Sequence, residues 1–285
     1  MIDPSEAIEM TPAATALGVA TACLLAGGLV AFVSLARRYR EQPPDWQQAA
    51  AQLRARPWHW RDLGVVMLVF LLAGTLAGSA TAADLLADNT HLFLMTNIVI
   101  QLAVVMTIVI LGRLRGLHGR SLVSPDGQPW STPLRNGLRS YFAIVPIIVI
   151  VGAAWFGSLW AVGVDLSRQA AVTLFLDLES GWQVASFVMV AVVLAPLVEE
   201  LVFRGLLLPL LLRKTNTVTA VVIGGMVFAL IHQNIAAVLP LFALATCMSV
   251  AYLAAGNLLV PIVMHATFNA VSLALLWLGK LAGLA

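Results

Sequence analysis

The chemistry available to this chain sits in its last third. Glu199-Glu200-Leu-Val-Phe-Arg204, Phe228-Ala-Leu-Ile-His232 and His265-Ala-Thr-Phe-Asn269 each place ionisable or amide groups inside long apolar runs. Positions four apart share a helix face. Glu200 and Arg204 are so related, acid before base, so Arg204 is expected to hold Glu200 ionised and fix its rotamer. Glu199 points about 100° away and has no such partner in its own helix. One carboxylate therefore reads as structural and the other as available. His265 and Asn269 share a face, as do Phe228 and His232. Glu199 lies about as far before the turn Lys214-Thr-Asn-Thr217 as His232 lies after it. If both segments are unbroken antiparallel helices, those two side chains face each other.

These residue types suit hydrolysis of an amide, which needs an activated water, a stabilised oxyanion and a proton donor for the leaving amine. A carboxylate in a low-dielectric site can act as general base near neutral pH. Histidine positions water, shuttles a proton or binds zinc. An asparagine amide beside a second imidazole offers donors to a developing oxyanion. The plain readings are core packing for Phe228, a satisfied structural group for a lone histidine, and an interhelical tie for a Glu–Arg pair. A charge in hydrocarbon costs several kcal/mol and usually marks function. Three such clusters on three helices are hard to account for as packing.

The elements that must position these groups are membrane helices. Of 285 residues, 60% are hydrophobic and 11% charged, with a mean hydropathy of +0.93; soluble domains carry about 25% charged residues. That excludes a soluble enzyme and a disordered chain. Sixteen Lys+Arg against 14 Asp+Glu, a net +2, excludes a nucleic-acid partner. A bilayer core needs roughly 20 apolar residues per helix, which gives eight candidate spans: Ala13–Leu35, Leu63–Ala83, Leu92–Gly112, Leu138–Gly163, Trp182–Leu212, Val218–Ala236, Ala237–Ala255 and Leu258–Gly279. The fold class expected is all-α and polytopic, about eight transmembrane helices around a polar cavity. Residues 1–181 carry no motif and residues 182–279 form the core that does. Asp3, Glu6 and Glu9 ahead of the first span argue against a signal peptide.

Arginine distribution sets an orientation. The loops beginning at Arg37, Arg113 and Arg213 are expected in the cytoplasm. The acidic segments with Asp84 and Asp88, then Asp165, Asp177 and Glu179, are expected outside, together with both termini. Pro43-Pro44 and the Trp58/Trp60 pair suit an interfacial stretch, and Ser124-Pro125-Asp126-Gly127 reads as polar turns. Cys23 and Cys247 read as small apolar core residues rather than a disulfide. At 1.5 Å per residue, His265 lies about 12 Å from its turn at Gly256-Asn257 and His232 about 24 Å from its own. The depths match if Arg204–Leu212 projects into the cytoplasm, or if a helix breaks. Non-helical backbone is expected near 233–240, where Gln233-Asn234 and Pro240 stand.

Glu199-Glu200-x-x-x-Arg204, Phe228-x-x-x-His232 and His265-x-x-x-Asn269, in that order on successive hydrophobic helices, resemble the signature of the CPBP (Abi) intramembrane protease family. That family includes type II CAAX prenyl endopeptidases and bacteriocin-processing or immunity proteins. The resemblance implies Glu199 as general base, Glu200 supported by Arg204, His232 holding the water, and His265 and Asn269 at the oxyanion. It implies a peptide or membrane-protein substrate, lipidated or not, in contact with membrane lipid. Cofactor use stays open between two mechanisms. Glu199, His232 and His265 supply three zinc ligands and leave a fourth position for water, yet the His-Glu-x-x-His spacing of zincins is missing. The competing functions are a non-catalytic scaffold or immunity protein and a proton-coupled transporter, against which the absence of a repeated motif in the first half speaks.

Overall fold

The protein is described here by a computed structural model that covers residues 11–77, 89–117, 119–124, 129–164 and 169–284. Asp3, Glu6, Glu9, Asp84, Asp88, Asp165 and the Pro125-Asp126-Gly127 turn lie outside the described residues. All regular structure among the described residues is helical. The helices are α1 (Pro12–Glu41), α2 (Trp46–Arg54), α3 (Trp60–Ala77), α4 (Thr90–Leu114), α5 (Ser131–Ala161), α6 (Ala170–Asp177), α7 (Gly181–Leu212), α8 (Thr217–Leu230), α9 (Ile235–Ala255) and α10 (Leu259–Leu281). Six of these, α1, α4, α5, α7, α9 and α10, are long and apolar enough to cross a membrane. The chain is an all-helical polytopic membrane protein.

Of the other two expected spans, the sixth is short. Helix α3 is described over 18 residues, and α8 has 14, about 21 Å at 1.5 Å per residue, less than the bilayer core of about 30 Å. Both α8 and α9 start on side-chain caps: Asn216 accepts from Thr219 N–H, and Asn234 from Ala237 N–H. Between them Gln233 takes a left-handed φ of 50°. The non-helical backbone is thus confined to residues 231–234. The expectation of a break through 240 is corrected, because Pro240 lies inside α9.

Helix α5 is the hub of one half of the bundle, packing on α1, α9 and α10. Close approach needs glycine at two crossings. A Cβ at Gly28 of α1 would meet the Phe142 carbonyl oxygen at 3.0 Å, and one at Gly137 of α5 would meet Val263 Cβ at 2.6 Å. Helix α7 organises the other half, against α3, α4, α8 and α10. Helix α2 closes one end, burying Ala50 and Leu53 in the same apolar cluster as Leu208, Leu210 and Leu212. Its amphipathic character follows from N-capping by Asp45 and a short apolar stripe.

Three local expectations change. Trp58 is a buried core residue at 2% exposure, with only Trp60 outward-facing. Ser124 is buried rather than a surface turn, and Asn257 Nδ2 donates to its hydroxyl at 2.8 Å. Cys23 faces out from α1 instead of lying in the core, whereas Cys247 is half-buried; both are free thiols.

Candidate active site

Helix α7 carries the two glutamates on a segment whose helical winding is altered on both sides. Met189–Leu194 and Leu201–Leu207 are π-helical, a rare geometry that concentrates at functional sites. Each stretch stops two residues before a proline. Ala195 N–H donates to Val190 O and Leu208 N–H to Phe203 O, both five residues back. Pro196 and Pro209 have no N–H to give. The carbonyl of Ala191 therefore receives neither the bond from residue 195 nor one from 196. Asn269 Nδ2 on α10 donates to it at 2.7 Å, which satisfies a half-buried acceptor and ties α10 to α7. Pro196 and Pro209 within an apolar run were the sequence signal for this geometry.

Glu200, between the π segments, is fully buried, and Arg204, within the second, is 2% exposed. Glu200 Oε1 accepts from Arg204 Nη1 at 2.8 Å and from His265 Nδ1 at 3.1 Å. Arg204 Nη2 also donates to the Ala245 carbonyl at 2.8 Å, with Ser249 Oγ 3.4 Å from Nε. Helix α9 thus completes the solvation of the guanidinium, a role that the four-residue spacing on α7 could not reveal. The carboxylate, guanidinium and imidazole form a paired network, the condition under which buried charges persist.

Glu199 differs from its neighbour. Its side chain is 27% exposed, and Oε2 lies 3.9 Å from His265 Nε2, beyond hydrogen-bonding distance. Oε2 is buried without a hydrogen-bond partner in the protein. Because His265 directs Nδ1 at Glu200, its Nε2 is the ring atom facing Glu199. The two glutamates thus differ in setting: Glu200 is fully buried and ion-paired to Arg204, Glu199 is partly exposed and faces His265, and each keeps an Oε2 without a protein partner.

His232 lies on the turn after α8, half-buried, with Nδ1 2.7 Å from the Phe228 carbonyl oxygen. A carbonyl only accepts, so Nδ1 carries the proton and Nε2 is left as an acceptor. Its link to the rest of the cluster runs through the Phe228 ring, 4.9 Å from His232, 5.8 Å from His265 and 5.0 Å from the Arg204 guanidinium carbon. Phe228 is fully buried, as a core reading expects, and it also sits among three site residues. Gly225, one turn earlier, permits this placement: a Cβ there would meet Thr246 Oγ1 at 2.9 Å. The imidazole within 4 Å of the Glu199 carboxylate is that of His265.

The structure therefore brings Glu199, Glu200, Arg204 and His265 into one cluster, sets His232 against it through Phe228, and holds Asn269 one turn along α10 on Ala191. Among the described residues no three His, Cys, Asp or Glu side chains converge as a metal-holding group. His232 turns Nδ1 onto backbone, and the three-ligand set of Glu199, His232 and His265 is not assembled.

These features define an integral membrane protein with a buried glutamate–histidine–arginine site between α7, α8, α9 and α10. Within that class, residues 181–271 match the family described as Rce1-like, type II CAAX prenyl endopeptidase. The matched segment runs from the start of α7 into α10, so it contains every residue of the cluster. No curated protein and no solved structure matches the chain. This similarity, confined to residues 181–271, supports a CAAX-protease-like membrane endopeptidase at family level.

Proposed function

We propose that the protein cleaves a peptide bond of a membrane-associated substrate, with Glu199 as the general base. The observation that carries this reading is the contrast between the two glutamates. Glu200 is fully buried with Oε1 held by Arg204 and His265, whereas Glu199 is 27% exposed and makes no hydrogen bond to the His265 Nε2 that it faces; each keeps an Oε2 without a protein partner. In the reaction Glu199 takes a proton from water as its oxygen attacks the scissile carbonyl carbon. His232 Nε2 accepts the water's other hydrogen and orients it. The oxyanion that develops faces His265 and the second Asn269 N–H, the first being held by Ala191 O. The proton on Glu199 then passes to the leaving amine as the C–N bond breaks. Glu200 and Arg204 touch none of the reacting atoms; they position His265.

The lipid-facing helices admit a substrate tethered to the membrane, prenylated or otherwise anchored. Charge distribution supports both termini outside and a site towards the cytoplasmic half. The test is cleavage of a fluorogenic peptide panel, including prenylated members, by protein in oriented vesicles. Glu199→Gln is expected to lower kcat by at least about 100-fold with the melting temperature unchanged. Substrate presented at the face bearing residues 42–59 is cut and substrate at the other face is not. Retained cleavage in Glu199→Gln removes the base assignment. A wild type that cuts no member favours the scaffold reading. Activity that disappears with a chelator and returns with zinc favours the metal mechanism.

A further inference from the structure

Away from the glutamates, a cavity of ≈ 60 Å³ opens where α1, α5, α9 and α10 bring their ends together. Arg38 and Tyr39 of α1 and Asn136, Arg139 and Ser140 of α5 supply its polar lining, over a floor of small alanines from the last turns of α9. The volume is on the order of four or five waters, the size of a phosphate group. Two guanidinium groups meet there and no carboxylate lines the space. Among the described residues neither arginine ion-pairs with an acid; Arg139 Nη2 donates instead to Ser34 Oγ at 2.6 Å.

The depth of the cavity identifies what would fill it. Arg38 stands 26 residues into α1, about 39 Å along the axis, past a hydrocarbon core of about 30 Å. Asn136 and Arg139 fall in the first nine residues of the 31-residue α5, which also overruns the bilayer. The cavity is therefore at headgroup level, on helices whose flanks face lipid. Tyr141, Ala251, Val260 and Met264 are buried in one packed cluster with Phe228. Ala251 and Val260 of that cluster also line the cavity, whereas none of Glu199, Glu200, Arg204, His232 or His265 does.

We propose that this cavity binds the phosphate of one anionic phospholipid, clasped by Arg38 and Arg139. The proposal does not depend on the cleavage reading. Its test is native mass spectrometry of detergent-solubilised protein after reconstitution with phosphatidylglycerol or phosphatidylcholine. The wild type is expected to retain one phosphatidylglycerol per chain and no phosphatidylcholine. Arg38→Gln and Arg139→Gln each weaken retention by about fivefold, the effect of removing one basic group near a membrane surface. Arg37→Gln, on the same turn but outside the cavity, leaves retention unchanged. If Arg139→Gln unfolds through loss of its Ser34 bond, Arg38→Gln alone decides, with its melting temperature in phosphatidylcholine as the control. Equal losses in Arg37→Gln indicate diffuse attraction and overturn the proposal. Displacement of the lipid by millimolar inorganic phosphate, or by a peptide with a free but not an amidated C-terminus, assigns the cavity to a soluble anion or to substrate and likewise overturns it.

Discussion

The two adjacent glutamates show how neighbours of identical type acquire different physics. Burial of Glu200 is offset by Arg204 and His265 at Oε1, and the α9 carbonyl at Ala245 completes the guanidinium, although Glu200 Oε2 has no protein partner. Replacing one partner leaves the other buried and uncompensated, a loss of about 3–5 kcal/mol. Glu200→Gln is therefore expected to lower the melting temperature sharply as well as activity, while Glu199→Gln affects activity alone. Thermal unfolding of the two variants side by side checks this; equal stability would mean that Arg204 is neutralised elsewhere. The Glu200–Arg204 pair and the separation of Glu199 were legible in the sequence, because four-residue spacing survives the π segment. The direction of His265 was not. It is set by Glu200 across an interhelical contact 65 residues apart, which no local periodicity encodes.

At the scale of elements, the site depends on a helix that departs from regular winding. Pro196 removes the donor that would serve the Ala191 carbonyl, and Asn269 replaces it from α10. Asn269→Ala should then cost about 1 kcal/mol, the low end of the penalty for an unpaired acceptor, because Ala191 is half-buried. Pro196→Ala supplies an N–H at position 196 and should remove most of that penalty. The double variant Pro196→Ala/Asn269→Ala is expected to be more stable than the sum of the single changes allows, which a double-mutant cycle measures. Additive losses would show that Asn269 does not serve Ala191. The motif reading placed Asn269 at the oxyanion, and its backbone bond adds a structural duty compatible with that role, since the amide has a second N–H. Span positions were readable from hydropathy, and the depth mismatch between His232 and His265 correctly pointed to an irregular α8–α9 region. Its form was not readable. The chain resolves it with a short α8 and a turn at 231–234, while α2 covers the end of the α7–α8 hairpin.

For the whole molecule, arginines of the basic loops close one end of the bundle. Arg213 donates to the carbonyls of Arg54, Arg56 and Trp58, and Arg54 Nε returns a bond to Leu212 O at 2.8 Å. Arg56 Nη1 reaches Ser121 O at 2.7 Å. Asp62, just before the apolar run of α3, receives Arg115 from the end of α4 at 2.8 and 3.1 Å and the His59 backbone N–H at 2.7 Å. Composition displays the positive excess of these loops but not the carbonyls it serves, because those partners come from distant segments. Burial alone would raise the Asp62 carboxyl; the Arg115 and His59 hydrogen bonds outweigh it and hold the group below its ordinary value. A carboxyl depressed in the folded state binds its proton more readily when unfolded, so it stabilises the fold above the unfolded value of about 3.9. That contribution declines as pH falls through the folded value. The melting-temperature gap between wild type and Asp62→Asn should therefore be constant near neutrality and shrink below about pH 4, in the same detergent and salt. A gap unchanged across the acid range would show that the ionised carboxylate does not clamp the α3 and α4 ends together.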